Sequence, residues 1–347
     1  MKYLLPLAAL ISQGYCAESI DDRVSKLETD MKIVRTDTAF GNYGAKTASA
    51  NPQNDGYGFF ITGDFLWWKL YEGGDEYAIE RKTTSKSAID GKVETLNFNW
   101  EPGFKVGLGY DMEHDGWDLF FNFTYYTTRA HTTKHPGEKE DLITILGLSD
   151  SLATEAKARW HVHFYDLDAT IGRNFFVSKS LALHPCVGIT SAWISQKRHA
   201  DYTLSSSHLV VKSRNDFWGI GPRLGLNTRF YMGKNFSVYG DAAAALLWGD
   251  FTVKETEFEA IPFIAFDSTK GKDLHRIAPT LGFGLGLAYE SNFYQDRYHI
   301  LVKLGYETQY WWRQNQLPHP YVYSFSYNRY SEDLSLLGLT LDVRLDF

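Results

Sequence analysis

Five residues in the middle of the chain could do chemistry together: His161, His163, Asp166, Asp168 and, on the next segment, His184. An imidazole beside a carboxylate can act as a general base or hold a metal ion, because neutral imidazole has a free lone pair near neutral pH. His161 and His163 are two residues apart, so on a strand they share a face. The plainer reading is that all five are satisfied polar groups of a lumen or a rim. Asp166 and Asp168 belong to the far half of their segment, which separates them from the histidines. No catalytic motif stands out elsewhere, so we expect a protein that is not an enzyme and takes no cofactor or metal.

A second set points to a conduit. Lys105, Asp118, Arg223, Arg229, Asp241, Lys303, Glu307, Asp342 and Arg344 all lie on the polar faces of alternating segments. Five bases against four acids predict weak ion selectivity. Charges that pair across a narrow barrel plug it, whereas charges on distant walls line a wet path. Gly219, Gly221, Gly225, Gly282, Gly284 and Gly286 share those polar faces; they remove side-chain volume, or else relieve crowding where strands bend.

The elements that carry these residues are strands. The chain ends with Leu337, Leu339, Leu341, Val343, Leu345 and Phe347 on one face and Gly338, Thr340, Asp342, Arg344 and Asp346 on the other. Side chains alternate across a strand, so one face is apolar and the other charged. Ten segments share this period: 58–71, 94–111, 116–130, 158–176, 181–199, 213–231, 236–254, 274–290, 297–313 and 330–347. In the second, Phe98, Trp100, Phe104, Val106, Leu108 and Tyr110 share the apolar face. In the fourth the phase slips, with Trp160, Val162 and Phe164 even and Leu167, Ala169 and Ile171 odd, which predicts a bulge near Tyr165. Short turns alternate with long loops, the pattern of an outer-membrane barrel with periplasmic turns and external loops. Both termini then lie on the periplasmic side. Sandwich strands are usually about half this length. The expected fold is all-β: a transmembrane antiparallel up-and-down β-barrel of about ten strands, range 10 to 16, since 72–93 and 131–157 could each hide a hairpin.

Composition agrees. Of 347 residues, 44% are apolar and 16% aromatic, which suits pleated half-buried surfaces. The longest apolar stretch beyond the N-terminus, Ala242 to Trp248, is far shorter than the ~20 residues a spanning helix needs. A net charge of −7 with no basic stripe argues against nucleic acid as a partner. Residues 1–17 read as a signal peptide, with Lys2 before an apolar run from Leu4 to Ile11. Residues 18–36 place Ile20, Val24, Leu27, Met31 and Val34 at heptad spacing, a short amphipathic or coiled-coil helix through which the chain could form a homo-oligomer. Residues 37–56 read as a linker and 57–347 as the barrel. Once the signal is removed Cys186 is the one thiol left, so no disulfide framework is expected.

Several stretches resemble the major outer membrane protein family of chlamydiae, environmental chlamydiae included, and its legionella-type relatives. They are Gly58-Phe59-Phe60-Ile61-Thr62-Gly63-Asp64-Phe65-Leu66-Trp67-Trp68-Lys69, Asn99 to Tyr110 with Asp115-Gly116-Trp117-Asp118-Leu119, Asp166 to Arg173, His184-Pro185-Cys186-Val187-Gly188, Gly219 to Leu226, and Tyr306 to Trp312. The resemblance implies an abundant surface porin in outer-membrane lipid, a passive pore for small hydrophilic solutes and ions. Resemblance to outer-membrane barrels generally implies that Phe347 is an assembly signal read by the barrel-insertion machinery. One departure matters: chlamydial members are cysteine-rich and disulfide-linked, whereas this chain has two Cys. Two alternatives stand beside the pore. Ten-stranded outer-membrane proteases place Asp and His near the external rim, which keeps a protease or lipid-modifying barrel in view. The aromatic run Tyr321 to Tyr327 would suit an adhesive surface protein with an occluded lumen.

Overall fold

Ten antiparallel strands pair in sequence and return on themselves. They are β1 (Gly58–Glu72), β2 (Trp100–Asp111), β3 (Trp117–Lys134), β4 (Leu152–Arg173), β5 (Leu181–Leu204), β6 (His208–Gly233), β7 (Phe236–Glu259), β8 (Leu274–Phe293), β9 (Tyr298–Asn315) and β10 (Glu332–Asp346). β10 closes on β1 in unbroken register from Phe60 opposite Asp346 to Glu72 opposite Leu334. The last residue completes the seam: Phe59 and Phe347 exchange backbone hydrogen bonds of 3.2 and 3.0 Å. Closure leaves no edge strand, which a sheet in hydrocarbon requires. The computed structural model describes residues 24–26, 58–82, 91–112, 116–146, 152–178, 180–205, 207–233, 235–259, 264–266, 274–293, 298–321, 326–329 and 331–347. Residues 24–26 are helical; the remainder of the expected 18–36 helix, the signal peptide and the linker lie outside the described residues.

Short turns and both barrel termini share one end, here the terminal end; the other is the loop end. Near the terminal end the outer wall is apolar: Phe59, Ile61, Phe65, Val106, Leu108, Phe121, Val187, Ile189, Leu224, Leu246, Phe283, Leu285, Leu304 and Leu341 are all exposed. Aromatic side chains border this belt on both sides. Phe59 and Tyr110 meet at 4.9 Å and Phe236 and Tyr289 at 5.0 Å on the terminal side. On the loop side Tyr125, Tyr165, Trp193 and Trp218 stand opposite one another on four adjacent strands. An apolar band with two aromatic girdles is the wall that a bilayer demands.

Beyond the loop-side girdle the strands continue, and their two faces exchange character. Trp160, Val162, Phe164, Ile194, Tyr202, Leu209, Val211, Phe217, Phe251 and Val253 point inward and are buried. Arg129, Arg159, Lys197, Lys212, Arg214 and Lys254 point outward. This corrects the expected bulge. Tyr125 faces Tyr165 and Tyr165 faces Trp193 with no shift of register. The pairing runs straight while the surroundings change from lipid outside to water outside, so the apolar set moves from the odd to the even positions of β4.

The two long loops do hold extra strands, though none joins the barrel ring. Glu76–Lys82 pairs with Gly91–Thr95 and with Glu140–Thr144, and the last of these reaches β4 through Leu142 opposite Ala153. Residues 96–99 leave strand geometry, and Phe98 turns into the interior against Trp160 at 6.0 Å instead of sharing the outer face with Trp100. Residues 318–321 and 326–329 form a separate hairpin, and part of the aromatic run between them lies outside the described residues.

Candidate functional site

The five residues first singled out are not assembled. His161 and His163 lie side by side on the outer wall, ring centres 4.2 Å apart, both within hydrogen-bond distance of the Thr127 hydroxyl (3.3 and 3.2 Å). Asp166 and Asp168 face the lumen on the same strand, where Thr190 donates to Asp166 (2.9 Å) and Arg223 approaches Asp168 (3.4 Å). His184 sits near the terminal end, hydrogen-bonded to Asp118. Alternation across β4 therefore puts the histidines and the aspartates on opposite faces. Among the described residues no three His, Cys, Asp or Glu side chains are placed to hold a metal ion.

All nine charged residues read from the polar faces point inward, and eight of them meet a partner of opposite charge or a histidine. Lys105 donates to both oxygens of Glu307 (2.6 and 2.7 Å), whose carboxylate also accepts from Gln309 (3.1 Å) and Thr340 (3.0 Å). Lys303 meets Asp342 at 3.0 Å, and Arg229 meets Glu290 at 2.9 Å. Arg344 bridges Asp346 and Asp111, the latter at 3.1 Å, while His299 takes the other side of Asp346 at 2.7 Å. Asp241 completes this floor, within electrostatic reach of Lys303 and Asp342.

The inner wall is more acidic than the nine suggested. Asp64, Asp111, Asp166, Asp168, Glu290 and Asp346 join Asp118, Asp241, Glu307 and Asp342 there. Ten carboxylates thus face five lysines and arginines, with His184 and His299 beside them. Asp166, Asp168 and Asp346 already stand out in the sequence as polar-face residues, and Asp111 and Glu290 lie at the even spacings of six and four residues from Lys105 and Gly286 on their strands. Only β1 escaped, because Asp64 is a single charge between Thr62 and Leu66.

This half of the interior is partly accessible to solvent. The Arg344, Arg223, Lys303 and Arg229 side chains keep 27, 27, 21 and 21% of their surface accessible. Above it the interior is dry, and Trp68 marks the boundary. Its indole donates to Thr340 (3.2 Å), Lys105 lies under its ring at 5.1 Å, and the Tyr126 hydroxyl donates to its carbonyl (2.9 Å). Beyond it Leu70, Tyr77, Leu96, Phe98, Leu142, Trp160 and Trp311 belong to one closed apolar cluster.

A strap drawn from the β1–β2 connection seals that cluster, and polar side chains pin it. Arg198 donates to the Gly74 carbonyl (3.0 Å) and Asn315 to the Gly73 carbonyl (2.8 Å). Gly74 has φ +77°, and a Cβ there would come within 2.8 Å of Asn315 Nδ2, so the position needs glycine. Gln196 donates to Glu72 (3.3 Å), and the Tyr202 hydroxyl donates to the Tyr77 carbonyl. These pins were not legible beforehand, because Gln196, Arg198 and Asn315 come from strands remote in sequence.

The family model described as the Legionella pneumophila major outer membrane protein precursor matches residues 52–347. No curated protein matches the chain. Among solved structures it is similar to a Pseudomonas aeruginosa FadL homologue, at 7% identity over 84% of this chain and 90% of that one, with a TM-score of 0.26. It is also similar to the Pseudomonas putida toluene transporter TodX (8%, 84% and 89%, TM-score 0.25) and to a loop-deleted OmpT, an outer membrane protein of Vibrio cholerae (8%, 82% and 99%, TM-score 0.17). At these scores the structural likenesses carry no further argument. The family match spans the whole barrel, the wet half and the plug alike: the chain belongs to the Legionella major outer membrane protein family.

Proposed function

We propose that this outer-membrane barrel is a porin, a passive path for small hydrophilic solutes and ions that is closed at rest by its own loop strap. The observation that carries the reading is the change of the interior at Trp68, from a charge-lined half whose arginines and lysines keep part of their surface accessible to a sealed apolar cluster. A purely structural barrel has no need of a hydrated, charge-lined half. A ten-stranded wall leaves little room beyond its own side chains, so the open path is narrow. The carboxylate excess favours cations over anions, as rings of Asp and Glu do in other cation paths. In this reading the loop end faces outward and both termini face the periplasm, as short turns at one end and long loops at the other imply.

Planar-bilayer recording of the refolded protein decides the matter. We expect small, discrete openings separated by long closures, and a reversal potential in a salt gradient displaced toward the cation potential. Absence of discrete channels at any voltage would sink the pore. It would favour the second reading, a surface protein whose packed plug is permanent. Orientation has its own test, an epitope inserted between Gly137 and Glu138 and probed on intact cells; an epitope reached only after lysis reverses the barrel.

A further inference from the structure

We propose that the outer wall of β3 to β7, just past the loop-side girdle, is a docking surface for the phosphate groups of outer-leaflet glycolipid. Arg129, His161, Lys197, Arg214 and Lys254 stand opposite one another in a single rung across five adjacent strands. All five point away from the barrel axis. The next rung repeats the pattern with His131, Arg159, His199 and Lys212.

Lys197, Arg214 and Lys254 are like charges directly opposite one another, an arrangement that destabilises a sheet, so this rung implies a counter-anion. The protein supplies little of it. Asp216 engages Arg214 and the Ser195 hydroxyl, and Asp201 engages His208 at 2.9 Å. Among the described residues no ion pair takes up Arg129, Arg159, Lys197, Lys212 or Lys254; Lys212 lies over the Phe258 ring at 5.6 Å.

Position chooses the anion. The first basic rung lies four residues beyond Tyr125, Tyr165, Trp193 and Trp218, about 13 Å along the strands. On strands tilted about 40° that is roughly 10 Å above the aromatic girdle, the depth at which headgroup phosphates replace hydrocarbon. A soluble polyanion would have no reason to find its cations confined to the narrow stretch of wall just past the girdle. Arginine forks match phosphate oxygens bidentately, while lysine stems lie along the wall and present their ammonium groups at the same height.

The inference rests on the orientation given above, and its test keeps the two apart. The full chain is placed in phosphatidylcholine nanodiscs containing equal amounts of bisphosphorylated or fully dephosphorylated lipid A, and retained lipid is counted by native mass spectrometry. We expect about tenfold preference for the bisphosphorylated form, the scale of one or two well-placed cation–phosphate contacts. The preference should weaken as salt rises and vanish in the triple variant R129S/K197S/R214S. Equal retention of the two lipids by the unaltered protein overturns the inference whether or not the variant folds. A preference abolished by millimolar inorganic phosphate overturns it as well, since the wall would then be a general anion site. If the nanodisc preference holds but the epitope proves periplasmic, the glycolipid assignment falls, while the conductance test of the pore is untouched.

Discussion

The Lys105–Glu307 pair shows what a single lumen charge does. Its two hydrogen bonds of 2.6 and 2.7 Å lie directly beneath Trp68, with Asp64 close enough to add a second negative charge. Water reaches the pair poorly, since Lys105 retains 11% and Glu307 20% of its side-chain surface. Removing the ammonium group would leave two carboxylates facing each other without their cation. Breaking a buried pair from one side is costly, whereas replacing both partners is close to neutral. We therefore expect Lys105→Met to destabilise the barrel by about 3 kcal/mol, read as a lower urea midpoint in lipid vesicles. The double variant K105M/E307Q should recover most of that loss. A single variant as stable as the parent would mean that water already screens the pair and that the wet region reaches up to Trp68. Both residues were legible as polar-face positions. Their partnership was not, because β2 and β9 meet only through the closed ring.

The loop strap belongs to the scale of elements, and its response to pH follows from Asp75. Burial raises the Asp75 carboxyl to about 6, with a further push from the charge of Glu76 and an opposing pull from Arg198. An acid whose folded value exceeds its ordinary 3.8 binds its proton more tightly when the strap is docked. The contribution is therefore fully present below about pH 4 and is lost as pH rises through about 6. Amide protection factors in Glu76–Lys82, which are corrected for the intrinsic pH dependence of exchange, should be larger at the acidic end of that window than at neutral pH, and Asp75→Asn should make the two values equal. Protection that falls on acidification would contradict the assignment. The strap also shows where reading the sequence stopped. All ten barrel strands were legible from their period of two, and so was the room for hairpins in 72–93 and 131–157. The change of face in β4 was visible too, but it was attributed to a bulge. A strand that is apolar outside in lipid and one that is apolar inside in water have the same period, so periodicity alone does not say which side holds the solvent. Phe98 was misassigned for the same reason, since an apolar residue fits either environment.

At the scale of the whole molecule, two physical regimes meet in one cylinder. In the lower half the bilayer supplies the apolar surroundings and the interior can afford charge. In the upper half water surrounds the wall, so the strands must find their apolar partners inside, and the strap provides them. The plug is thus a consequence of strands that outrun the membrane: β5, β6 and β7 are 24, 26 and 24 residues long, well beyond the 9–11 that a tilted strand needs to span. A longer tower enlarges the apolar contact and holds the barrel shut, so closure and tower height are coupled. Trp68 is where that coupling can be tested, because its indole donates to Thr340 on the wet side while its carbonyl accepts from Tyr126 on the dry side. Truncation to alanine removes a large ring that is fully buried, a change that typically costs about 3–5 kcal/mol of packing, and here the loss falls on the closed state. A shift of even 1.4 kcal/mol toward opening multiplies the open population about tenfold. We expect Trp68→Ala to raise the open probability in planar bilayers at least tenfold while leaving the cation preference intact, since the carboxylates below are unaltered. Bulky-residue replacement at the same place, Trp68→Phe, should keep the closures long because the ring still fills the site. If Trp68→Ala folds, inserts and stays as silent as Trp68→Phe, the upper half is a permanent seal and the wet half leads nowhere.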